Sequence, residues 1–177
     1  MKKLIGLLLF LLFSLSLYAV STGNMQFNVH WNIVNIKTTT LTILPYSGSG
    51  TLPQDLDENY LQSFTPNSNS ALNNVCQIKY ATNVKGTHKI EFSATPLTKT
   101  DTLDEYPYSL YITTENEYPV ELDVDPEALD NSKLISFIVI GAGETTVIIR
   151  LDAVITAFNI MQIGDYNSYI TITDTTE

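Results

Sequence analysis

Met25, Phe27, Val29, Trp31 and Ile33 alternate with Gln26, Asn28, His30 and Asn32. In a pleated strand, residues two apart share one face, so this run predicts a half-buried strand over 25–33 and excludes a helix, whose apolar residues recur at three to four. The same period returns along the chain. Residues 41–44 form a short run closed by Pro45, which cannot donate to a sheet ladder. Further strands are predicted at 75–82, 87–95, 108–114, 120–124, 134–140, 145–155 and 166–173. In the last, Ile170 and Ile172 share one face, while Tyr169, Thr171 and Thr173 take the other.

Between these runs stand turn residues. Asn83-Val84-Lys85-Gly86 reads as a hairpin loop, residues 115–119 join the 108–114 and 120–124 strands, and Gly141-Ala142-Gly143 reads as a tight turn. Residues 125–131 read as a turn or single helical turn. The alternation lapses over 46–74, where Ser47-Gly48-Ser49-Gly50 and Asn67-Ser68-Asn69-Ser70 indicate a long loop. Within it, Leu56, Tyr60, Leu61 and Phe64 fit one face of a short helix over 55–64. About nine strands with frequent turns predict an all-β antiparallel sandwich, preferred over a barrel because an eight-strand meander has no place for the irregular stretch.

The N-terminus carries a different signal. Lys2 and Lys3 precede an apolar run over 4–17, and Leu17-Tyr18-Ala19 ends in a small residue, the pattern of a secretory signal peptide cut near Val20. Ser14, Ser16 and 21–24 interrupt the run short of the roughly 20 apolar residues a membrane helix needs. The expected organisation is therefore a signal peptide at 1–19 and one domain over 20–177, exported to the periplasm, cell surface or medium, with no stable membrane span after cleavage. Cleavage removes two of nine cations and none of nineteen acids, taking the net charge from −10 to −12. Such a surface repels phosphate backbones, so nucleic acid is not an expected partner.

Reactive groups are sparse. Cys76 is the single cysteine and shares a strand phase with Ile78 and Tyr80, so no intramolecular disulfide forms and a buried, inert thiol is expected. The only histidines, His30 and His88, are assigned to solvent-facing strand positions. No nucleophile elbow, zinc-helix motif or phosphate loop occurs, so the reading is non-enzymatic, with no cofactor. Asp123, Asp125 and Glu127 leave two alternatives open: a solvated acidic face, or an extracellular calcium site that lacks the spacing of an EF-hand loop. Among ten tyrosines, Tyr46, Tyr60, Tyr106, Tyr108 and Tyr118 lie in or beside loops and could present a carbohydrate or peptide platform. Tyr166, after Gly164-Asp165, is placed for a corner hydrogen bond to the backbone.

Three stretches resemble a known class: the opening strand at 25–33, Ala81-Thr82-Asn83 leading to 90–97, and Ile163-Gly164-Asp165-Tyr166 followed by an alternating strand. Together they are similar to bacterial fimbrial (pilin-type) and spore-coat-U-like surface subunits. The resemblance implies an immunoglobulin-like sandwich of about eight to nine strands acting as a structural or adhesive subunit of a fibre or coat. It further implies that Met25, Phe27, Val29, Trp31 and Ile33 could fill a groove in a neighbouring subunit by strand addition, with self-association or other surface subunits as partners. The alternative is that this strand pairs within its own sandwich. The competing function is a monomeric module that binds carbohydrate, peptide or calcium. The chain departs from the class in lacking a cysteine pair and in its 46–74 segment.

Overall fold

The computed structural model describes residues 24–33, 39–44, 59–64, 72–115, 117–140 and 144–176. They form twelve strands and no helix: β1 (Met25–Ile33), β2 (Thr39–Leu44), β3 (Asn59–Phe64), β4 (Asn73–Thr82), β5 (Gly86–Ala94), β6 (Leu97–Lys99), β7 (Glu105–Tyr106), β8 (Tyr108–Thr114), β9 (Val120–Val124), β10 (Ser132–Val139), β11 (Thr145–Val154) and β12 (Tyr166–Asp174). The predicted leader over 1–19 and the Gly141-Ala142-Gly143 turn lie outside the described residues.

The strands make two sheets. One runs β10-β5-β12-β1-β3, with β6 beside β12 and β7 beside β6; the other runs β2-β4-β11-β8-β9. β1 lies parallel to β12, with Met25 opposite Tyr166, and antiparallel to β3, with Met25 opposite Phe64. The other strand pairs are antiparallel. Alternation decides what each strand buries. Met25, Phe27 and Val29 of β1, Ile90 and Phe92 of β5, and Ile170 and Ile172 of β12 meet Ile78, Leu110, Ile112, Ile149 and Leu151 from the other sheet in one apolar core. Phe27 packs edge-on against Tyr108, ring centres 5.3 Å apart, so the two sheets touch directly in a sandwich-like stack. Each such side chain withdrawn from water contributes roughly 1.5–3 kcal/mol.

Several expectations are corrected. Residues 59–64 are a strand rather than the end of a short helix, because β1 offers its free edge to them and cross-strand pairing overrides the helical spacing of Tyr60, Leu61 and Phe64. The long loop is thereby interrupted. Asn83-Val84-Lys85-Gly86 does not close a hairpin: β4 pairs with β2 and β11, β5 with β10 and β12, so this connection passes from one sheet to the other. β10 and β11 likewise lie in different sheets. The hairpin between β8 and β9 is present as expected.

Candidate functional site

A depression of about 340 Å³ lies on the outer face of the first sheet, between β12, the end of β5 and the β9–β10 connection. Strand phase builds its floor. Because Ile170 and Ile172 point into the core, Tyr169 and Thr171 point out, and Tyr169 is 60 % exposed there. Ser93, in the same sheet, stands directly opposite Thr171.

The edge of the floor is a bulge. β12 pairs Ile170 with Ala94 but Asn167 with Thr98, so the β5–β6 side carries one extra residue around Thr95-Pro96. Proline has no N–H to offer the ladder, which suits the interruption. Hydrogen bonds hold Thr95 in place. Its N–H donates to the Tyr169 carbonyl at 2.9 Å and its hydroxyl accepts from the Tyr169 N–H at 3.0 Å. From beneath, Ser168 donates its single hydroxyl proton to the Thr95 carbonyl at 2.8 Å, so the Tyr108 hydroxyl, 2.9 Å away, donates to Ser168. The bulge is thus braced from the opposite sheet.

The far wall is the β9–β10 connection, folded on Asp125. The Asp125 carboxylate accepts from the Glu127 N–H at 2.9 Å, and the Asn131 amide bonds both backbone groups of Asp125 at 3.0 Å. The Ala94 N–H donates to the Asn131 carbonyl at 3.0 Å, which pins this wall to the floor. Leu129 and Asp130 project at its crest, both exposed. The lining therefore combines one aromatic face, apolar groups that include Leu129 and Pro96, the hydroxyls of Ser93 and Thr171, and the Asp130 carboxylate. Among the described residues, no cation, histidine or cysteine lines it. An aromatic ring with free hydroxyls and one carboxylate suits a neutral polyhydroxylated ligand and disfavours an anion.

Other expected site residues sit elsewhere. Met25, Phe27 and Val29 are buried in their own sheet, so β1 pairs within the domain; the side chains of Trp31, Ile33 and His30 lie outside the described residues. His88 is corrected. It is 1 % exposed, since it shares its phase with Ile90 and Phe92 rather than with Thr87 and Lys89. Its Nδ1 lies 2.7 Å from the Tyr80 hydroxyl, its Nε2 donates to the Val84 carbonyl at 2.9 Å, and Phe137 stacks on the ring. Tyr80 also donates to Asp174 at 3.1 Å, so the cluster ties β4 of one sheet to β5 and β12 of the other.

Asp123 points outward from β9 and accepts from the Ser109 hydroxyl at 3.0 Å, whereas Asp125 is turned onto its own loop. Asp123, Asp125 and Glu127 do not converge, and among the described residues no three His, Cys, Asp or Glu side chains are placed to hold a metal ion. Cys76 is fully buried, and burial, with the Asp152 charge adding, pushes its thiol well above the usual range. Tyr106 packs edge-on to Tyr166, Tyr108 is buried and Tyr118 stands exposed, while Tyr46 and the Tyr60 side chain lie outside the described residues. The Tyr166 hydroxyl donates to the Gln162 carbonyl four residues upstream. Tyr169 was legible in sequence as an outward residue, but its meeting with Leu129 and Asp130 was not, because that contact joins segments some forty residues apart. The chain matches no protein-family model and no curated protein.

Proposed function

We propose that this chain is an exported, non-enzymatic adhesive module that holds carbohydrate in the depression around Tyr169. The observation that carries the reading is the exposed Tyr169 ring on a braced floor, faced by Asp130 and flanked by the Ser93 and Thr171 hydroxyls. A sugar presents an apolar face to stack on the ring and hydroxyls to bond the rim. An immunoglobulin-like topology belongs to this reading, supported by connections that pass between sheets and by the Tyr166 corner bond. A panel of neutral oligosaccharides tested by titration calorimetry should yield a ligand whose affinity falls at least about tenfold in Tyr169→Ala, roughly the loss of one good contact, with unfolding unchanged. A panel in which no sugar binds, or in which Tyr169→Ala binds as well as the parent, defeats the reading.

A second reading, supply of the first strand to a neighbouring subunit of a fibre or coat, is favoured by the position of β1. It is hydrogen-bonded on both flanks and sends Met25, Phe27 and Val29 into the core. The same strand from another copy would make the same contacts. Subunit exchange between differently labelled chains would support this reading, and its absence would leave β1 to its own domain.

A further inference from the structure

Edge strands expose unpaired N–H and C=O groups and are guarded in most proteins by charge. β9, an edge of the second sheet, carries Glu121 and Asp123 outward, both exposed. β10, an edge of the first sheet, carries no carboxylate. Its outward row is Leu134, Ser136 and Ile138, continued by Ile140, and these three apolar side chains are 53, 70 and 84 % exposed. Lys133 is its one charge. In a chain of net charge −10, two copies meet with least repulsion along an edge that bears no carboxylate.

We infer that β10 pairs antiparallel with β10 of a second copy about a two-fold axis at Ser136. That register sets Ser136 against its own copy and Leu134 against Ile138 on both sides, as an isologous interface requires. A shift of two residues either way sets one of the two aliphatic residues against Ser136. Aliphatic cross-strand pairs are the favourable arrangement. The apolar row alone offers only a few hundred Å² per copy, below the roughly 800 Å² a side of a stable complex, so the backbone ladder supplies the remainder and the dimer depends on concentration. A two-fold axis normal to the sheet leaves both Tyr169 depressions on one face. Ser132, which begins β10 beside that depression, is four residues from the axis, so the two sites are on the order of 30 Å apart along the strands at about 3.4 Å per residue. If the carbohydrate reading holds, such a dimer grips a multivalent surface by avidity.

Sedimentation velocity over about a thousandfold concentration range should show a reversible monomer–dimer equilibrium. Ile138→Lys, at an exposed position, should abolish the dimer while leaving the urea midpoint unchanged. Under mild oxidation Ser136→Cys should give a covalent dimer and Lys89→Cys, on the neighbouring strand, should not; native Cys76 is buried and silent. A chain that stays monomeric throughout, an Ile138→Lys variant that still dimerises, or Ser136→Cys that fails to cross-link overturns the inference. Each readout is independent of sugar binding, so it stands or falls apart from the function proposed above.

Discussion

At Tyr80, one hydroxyl serves two partners in a place water does not reach. Replacing it by phenylalanine keeps the ring against His88 and Phe137 but strands the Asp174 carboxylate and His88 Nδ1 without their shared contact. An unsatisfied buried group costs about 1–3 kcal/mol. Tyr80→Phe is therefore expected to lower unfolding free energy by about that amount in urea titrations. Tyr111→Phe, which removes an exposed 2.7 Å bond to Glu121, should change it by less than about 0.5 kcal/mol. Equal effects from the two would refute the role given to the cluster. The histidine in it was misplaced by reading its polarity rather than its position. Counting in twos from Ile90 puts His88 inside, and only a partner on another strand makes that tolerable.

Among elements, β1 shows how far alternation reaches. Its limits, and its inward row at Met25, Phe27 and Val29, are those of the sequence reading, yet nothing in the pattern says whose sheet it joins. The fold places it between β12 and β3, where Phe27 meets Tyr108 of the facing sheet. Phe27→Ala should cost about 3–5 kcal/mol by leaving a cavity at that junction, a large part of the roughly 5–15 kcal/mol that holds a domain together. Gln26→Ala, on the outward phase, should be nearly silent. Thermal denaturation of the two variants tests this; similar midpoints would mean that β1 does not carry its share of the core. β3, β6 and β7 escaped the sequence reading for another reason. β6 and β7 are short, β3 carries a helical spacing, and all three take their strand conformation from the neighbour they pair with rather than from their own residues.

For the molecule as a whole, stability is tied to alkaline pH through its buried phenols. Burial pushes Tyr166 up from its usual 10 to about 12, with the Tyr106, Asp101 and Asp104 charges adding, and burial raises Tyr108 further against the pull of its bond to Ser168. The folded chain keeps protons that the unfolded chain releases near pH 10. Stability is thus full below about pH 10 and falls as pH climbs toward 12. Urea midpoints followed over that range should decline, with a shallower slope in Tyr166→Phe; a flat profile would show that the phenols do not ionise with unfolding. The sequence alone determined which residues face inward, because period two follows from backbone geometry and holds for any strand. It determined too the inventory of reactive side chains, one cysteine and two histidines among them, because that inventory does not depend on folding. Only the tertiary structure decided which strands share a sheet, that the connection at 83–86 crosses from one sheet to the other, and that Tyr169, Leu129 and Asp130 line one depression. Those outcomes rest on contacts between segments far apart in the chain, and alternation is blind to the identity of the partner strand.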